Sequence, residues 1–208
     1  MVAIVDYGVG NLFSLKSSLT AVGADVVVSS DIEVLKKADQ VILPGVGAFE
    51  DAARKLRESG LAEKLVALAK SGKPFLGICL GMQMLFEKSF EYGEHKGLGL
   101  IKGNVKAIEG VIPENYKIPH IGWNALMMKG EKNPLFRYIN EGDHVYFVHS
   151  YYAADCDGAV IATAEYGAEL TAAVADGNIF GCQFHPEKSG KVGLAILKAF
   201  TEMKEGCK

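Results

Sequence analysis

The sequence predicts an α/β domain: a mostly parallel sheet with helices on both faces, extended in its second half by antiparallel strands. Three observations carry this. Short apolar runs alternate with helix-period segments through the first half of the chain. Several of those runs end abruptly at a glycine or proline turn. After Gly97 the pattern changes to short strand-like runs, several joined by glycine-bearing turns, as antiparallel pairing requires.

In chain order, Ala3-Ile4-Val5 is a short buried strand ending at Asp6, and Tyr7 to Asn11 is a turn. Leu12, Leu15, Leu19 and Val22 recur at helical spacing until Gly23 stops them. Val26 to Val28, β-branched throughout, is the second strand. Asp31 caps a short helix through Leu35. Val41-Ile42-Leu43 is the third strand, cut off by Pro44-Gly45-Val46-Gly47. Ala48 to about Lys70 is helical with a break near Gly60, and Phe75 to Ile78 is the fourth strand. Met82, Leu85 and Phe86 follow it at helical spacing. Strand-like runs then cover Leu98 to Ile108, Val145 to Val148, Val160 to Tyr166, Leu170 to Val174 and Ile179 to Phe184. Gly110 to Pro119 is loop, and Leu194, Leu197 and Phe200 mark a closing amphipathic helix.

The 208 residues suit a single domain, 1–208, with a sizeable core. A hydrophobic fraction of 49% argues against disorder. The formal net charge is −3, so the basic field that nucleic acid or an anionic membrane surface demands is absent. Asp6 interrupts the first apolar run and no basic segment precedes it, so no secretory leader is expected. No apolar stretch approaches bilayer-spanning length. A reducing cytoplasm is therefore the expected location. Cys79, Cys156, Cys182 and Cys207 include no Cys-x-x-Cys pair, and the five histidines show no ligand spacing, so no metal site is expected. Cys182 alternates with Phe184 on a strand and reads as core; Cys156 and Cys207 have no assigned chemistry.

The most informative string is Gly77-Ile78-Cys79-Leu80-Gly81-Met82-Gln83. It is Gly-x-Cys-x-Gly where a buried strand meets a helix, which lifts a nucleophile onto a sharp turn. The helix N-terminus favours a thiolate, and the N–H of Leu80 is the natural first donor to an oxyanion. Alone, the string more often marks an inert buried cysteine; a base decides the matter. His185 directly follows the apolar run Ile179 to Phe184 and precedes Pro186-Glu187. A turned backbone there lets Glu187 hold the imidazole while His185 takes the proton of Cys79. His149 also ends an apolar run and competes for the role of base; His95 and His144 fit less well. Gln83, about one helical turn beyond Cys79, reaches the same cleft.

The cysteine string together with His185-Pro186-Glu187 resembles the class I glutamine amidotransferases of the triad type. Within that family, several strings resemble the glutaminase subunits of imidazole glycerol phosphate synthases. They are Asp6 to Leu12, Leu43 to Phe49, Pro119 to Asn124, Tyr146 to Tyr152 and His185 to Ser189. The resemblance covers essentially the whole chain. Asn104 to Ile108 departs from the usual pattern, in which an Arg-Phe pair follows the valine.

The resemblance implies a three-layer, flavodoxin-like fold. It implies that Cys79, His185 and Glu187 release ammonia from L-glutamine through a γ-glutamyl thioester, with no cofactor. It makes Pro44 to Gly47 an oxyanion strand, with the N–H of Val46 as second donor beside Leu80. It assigns Gly47, Gln83, Ser150 and Tyr151 to substrate binding and places His149 outside the triad. It supplies a partner, a (β/α)8-barrel cyclase subunit in a 1:1 heterodimer serving histidine biosynthesis. Asn11, Trp123, Asn124, Tyr138 and Lys188 then become interface candidates. Two other readings remain open at this point: a glutaminase subunit of another synthase, in vitamin B6 or anthranilate synthesis, and a catalytically silent interaction module on the same fold.

Overall fold

The computed structural model describes residues 1–204 of the chain; Cys207 lies outside them. The first half runs β1 (Val2–Val5), α1 (Leu12–Ala21), β2 (Val26–Ser29), α2 (Ile32–Lys37), β3 (Gln40–Gly45), α3 (Phe49–Glu58), α4 (Ala62–Lys70), β4 (Phe75–Cys79) and α5 (Leu80–Gln83). Then come β5 (Lys88–Ser89), β6 (His95–Lys96), β7 (Asn104–Ala107), β8 (His120–Ala125), β9 (Met127–Met128), β10 (His144–His149), β11 (Tyr151–Ala154), β12 (Val160–Glu165), β13 (Glu169–Asp176), β14 (Ile179–Cys182) and α6 (Gly190–Thr201).

The main sheet has the order β2-β1-β3-β4-β14-β13-β12-β9. The first five strands are parallel and the last three antiparallel. Alternation along each strand feeds two cores, one per face. Ala3, Val5, Val41 and Leu43 pack with α2, α3 and α4, while Val2, Ile4 and Ile42 pack with α1 and α6. The helices follow from local chemistry. The Asn11 side chain caps α1 at Ser14 N, and Leu15 and Leu19, one turn apart, are buried. In α3, Phe49, Ala52, Ala53 and Leu56 form one buried stripe. Burying Phe49 alone stabilises by about 2–3 kcal/mol.

The mixed α/β layering matches the expectation, with differences in the second half. Leu98 to Ile108 is a strand only over Asn104–Ala107. The residues before it wrap the end of α5, with Leu98 N bonding Met84 O at 2.8 Å and Leu100 N bonding Leu85 O at 2.8 Å. α5 itself ends after Gln83, where Leu85 N and Phe86 N bond the carbonyls three residues back, short of the helix expected through Phe86. Two further sheets lie beside the main one: β8 paired with β10, and β11-β7-β5-β6.

One topological fact positions the site. β14, from the far end of the chain, lies parallel to β4 with Cys182 opposite Ile78. On the other side of β4, Gly45 lies opposite Cys79. The carboxyl ends of β3, β4 and β14 therefore meet, the usual place for chemistry in an open parallel sheet.

Candidate active site

Cys79 sits between β4 and α5 with φ +54°, a left-handed conformation rare for a side-chain-bearing residue. Packing holds it there. A Cβ at Gly81 would come within 1.9 Å of the Leu43 carbonyl oxygen, and one at Gly77 within 2.6 Å of the Gly81 oxygen. Only glycine lets α5 press this closely on β3 and β4. Leu80 opens α5, so its amide is one of the first-turn donors with no intrahelical partner.

The His185 turn is fixed as firmly. Its backbone N–H donates to Tyr146 O at 2.9 Å. The buried Ser189 hydroxyl donates to His185 O at 2.6 Å and accepts from Tyr146 N at 2.9 Å. Pro186 starts a single 3₁₀ turn that brings Glu187 back to the ring, with Nδ1 to Oε1 at 2.7 Å and both side chains buried. Burial works against charge on the imidazole. Hydrogen bonding with Cys79 and Glu187, and the negative charge of both, outweigh it and raise the His185 pKa to about 9.

A cleft of about 640 Å³ is lined by Val46, Gly47, Cys79, Leu80, Gln83, His149, Ser150, Tyr151, His185 and Lys188, among others. Every expected oxyanion and substrate residue thus borders one space with the cysteine and histidine. The Pro44–Gly47 segment forms one wall. Tyr7, buried beneath, donates to Pro44 O at 2.9 Å. Burial first, then the charge of Cys79, pushes the Tyr7 pKa up, so it remains a donor. Past that anchor, Val46 is 42% exposed and Gly47 has φ +92°.

The interface candidates divide. Trp123 is 55% exposed on β8 and lies against Tyr146, whose ring also carries the Lys188 ammonium at 5.9 Å. Asn11 caps α1, which packs on the Pro186–Lys188 turn. Asn124 is engaged internally, donating to Glu165 O at 2.6 Å and accepting from Ala125 N at 2.9 Å. Tyr138 donates to Glu202 at 2.6 Å, just past the C-terminal end of α6, while Trp123 approaches Gly190 at the N-terminal end. A helix of this length separates the two by about 18 Å, so Tyr138 stands apart from the others.

Several residues that the sequence reading missed also border the site. Glu91 and Glu109 put two carboxylates on the cleft wall, and Glu91 is anchored by accepting from Phe49 N at the start of α3. Gln183, fully buried, bonds Gln83 and approaches the Cys79 sulfur at 3.8 Å. Its place directly before Phe184-His185 was the available signal. Cys182 is buried in the core as expected. Cys156 is buried too, and burial pushes its thiol up to about 11. Among the described residues no cluster of three His, Cys, Asp or Glu side chains could hold a metal ion, and no helix is long and apolar enough to cross a membrane.

Comparison with known proteins gives the family and the fold. The family model "Glutamine amidotransferase class-I" matches residues 3–203. The "Imidazole glycerol phosphate synthase subunit HisH" of Caldanaerobacter subterraneus subsp. tengcongensis is 51% identical, covering 98% of both chains. Its counterpart in Sulfurimonas denitrificans is 50% identical, covering 97% of this chain and 98% of that one. Among solved structures, a glutamine amidotransferase superposes with TM-score 0.74 at 20% identity, over 97% of this chain and 100% of the other. PurLQS from Thermotoga maritima gives TM-score 0.72 at 22% identity, over 96% of each. These two likenesses establish the fold.

Proposed function

The chain belongs to the class I glutamine amidotransferases, in the family of glutaminase subunits of imidazole glycerol phosphate synthase, and on that premise we propose how its residues divide the work. The activity is hydrolysis of L-glutamine to glutamate and ammonia for histidine biosynthesis. Cys79 is the nucleophile, His185 the base and acid, and Glu187 the group that fixes the imidazole. The observation carrying this assignment is the buried 2.7 Å His185–Glu187 pair at the end of the strand beside Cys79.

The Cys79 thiolate attacks the side-chain amide carbon of glutamine. The N–H groups of Leu80 and Val46 take the charge that develops on oxygen. Protonated His185 gives its proton to the departing ammonia, and the same imidazole then activates water against the thioester. Ser150 and Tyr151 hold the α-carboxylate and Gln83 hydrogen-bonds substrate. Glu91 and Glu109 supply negative charge for the α-ammonium group. The chemistry calls on no cofactor.

Ammonia is mostly protonated at neutral pH and is then no nucleophile, so direct transfer to the acceptor has a physical advantage. A (β/α)8-barrel cyclase subunit, in a 1:1 heterodimer, is the partner proposed to receive it. Trp123 and Lys188 sit together beside the cleft and mark the face that would meet it, with Asn11 adjoining. The test is glutamate release by the complex. Cys79→Ala is expected to abolish it while the variant still co-elutes with the cyclase subunit. Residual turnover near wild type in Cys79→Ala would remove the cysteine from its role.

A further inference from the structure

His120 on β8 and His149 on β10 are directly opposed in the antiparallel pair. Nδ1 of His120 lies 3.0 Å from Nε2 of His149, and Nδ1 of His149 lies 2.9 Å from the Tyr151 carbonyl oxygen. A carbonyl only accepts, so the His149 proton resides on Nδ1. Both rings are buried, and burial holds each pKa down at about 4, so both are neutral at pH 7. A neutral ring leaves its other nitrogen bare. His149 Nε2 therefore accepts, and His120 donates from Nδ1. The His120 ring cannot turn away, because it is stacked between Phe147 at 4.9 Å and Tyr166 at 4.0 Å.

The sequence of bonds continues to the cysteine. The Tyr151 carbonyl also accepts from Gln83 Nε2 at 3.0 Å. The same Gln83 nitrogen donates to Gln183 Oε1 at 3.1 Å, and Gln183 Nε2 faces the Cys79 sulfur at 3.8 Å. Both amide hydrogens of Gln83 are then committed, and its Oε1 is the atom left for the cleft. His149 immediately precedes the Ser150–Tyr151 backbone and lines the cleft with it.

We propose that His120 and His149 are positioning residues for glutamine: through the Tyr151 carbonyl they hold the Ser150–Tyr151 backbone in place and keep Gln83 with its oxygen toward substrate. The proposal rests on the glutaminase reading above. It also makes β8, the strand that carries Trp123, mechanically continuous with the glutamine site.

The test compares two near-isosteric variants in the complex with the cyclase subunit. In His120→Asn the new amide nitrogen falls near the position of Nδ1, whereas in His120→Gln it falls near that of Nε2. His120→Asn is expected to keep the glutamine KM within about twofold, while His120→Gln raises it about tenfold, the worth of one hydrogen bond, with kcat changed less than about threefold. A KM that stays flat in both, or rises equally in both, overturns the proposal while wild-type turnover leaves the glutaminase reading standing. A wild-type complex that releases no glutamate overturns both. Independently of turnover, ¹⁵N spectra of the labelled complex at neutral pH are expected to show His120 and His149 as Nδ1–H tautomers. An Nε2–H tautomer at His149 would also overturn the proposal.

Discussion

Two turns meet at the cleft, one carrying Cys79 and the other Val46 and Gly47, and their surroundings are opposites. Around Cys79 every glycine is pressed against backbone, so the unusual torsion of the cysteine is imposed from outside. Around Gly47 there is open space: an added Cβ would meet nothing within 4 Å. Its torsion is set by the local backbone, between the Tyr7–Pro44 bond upstream and the Phe49–Glu91 bond downstream. A nucleophile gains from a fixed position, whereas an amide that must rotate toward an oxyanion gains from freedom. One cleft wall is thus clamped and the other loose, and substitutions on each side should behave differently.

The largest effect is expected at the clamped turn. In Gly81→Ala the new methyl group would sit 1.9 Å from the Leu43 oxygen, a backbone atom at the centre of the sheet. Neither β3 nor α5 can yield without breaking the other's packing. A loss on the order of 4–5 kcal/mol is expected, seen as insoluble protein or a melting temperature lowered by more than about 10 °C. A variant melting near wild type would mean that the turn is less constrained than its contacts indicate.

The parallel strands behind both walls were the readable part. Ala3 to Val5, Val41 to Leu43 and Phe75 to Ile78 are buried on both faces, so they stand out as unbroken apolar runs, and the cysteine string follows the last of them. The other half lacks that signal. β5, β6 and β9 are two residues long and carry no period. β8 presents Ile121 and Trp123 to solvent and buries His120, the reverse of a hydrophobic pattern. Gln183 and Glu91 were silent for another reason. Their partners lie 104 and 42 residues away in the chain, and such pairings are written in topology alone.

An intermediate effect is expected at Glu187, which belongs to the clamped side but acts through charge. Glu187→Gln keeps an acceptor for Nδ1 and removes one of the two negative neighbours that raise the His185 pKa to about 9. Glutamate release should fall about a hundredfold in the complex. The alkaline limb of kcat/KM, which belongs to the Cys79–His185 pair jointly, should move to lower pH. The sign for stability follows from the same shift. With its folded pKa above the unfolded value of about 6.5, His185 stabilises the fold fully below that pH and loses the contribution as pH rises through about 9. A limb that does not move would separate Glu187 from the imidazole's chemistry.

The smallest effect is expected on the loose wall, and it carries the contrast. Gly47→Ala meets no atom, so its cost is torsional: an L-residue at φ +92° is strained by about 1–2 kcal/mol. In a chain of this size that lowers the melting temperature by about 2–8 °C. The kinetic consequence is separable from it. If the peptide between Gly45 and Val46 turns to aim the Val46 N–H at the oxyanion, ψ of Gly45 and φ of Val46 change, and Gly47, one residue on, is where the chain can absorb any displacement left over; alanine narrows the torsions open to it there. Glutamate release stimulated by the cyclase subunit and its ligand should then fall several-fold, with glutamine KM nearly unchanged, since the amide serves the transition state more than the bound substrate. A Gly47→Ala variant as unstable as Gly81→Ala would show both turns to be clamped alike. One with full stimulated turnover would show that the Val46 N–H reaches the oxyanion site without any adjustment at Gly47.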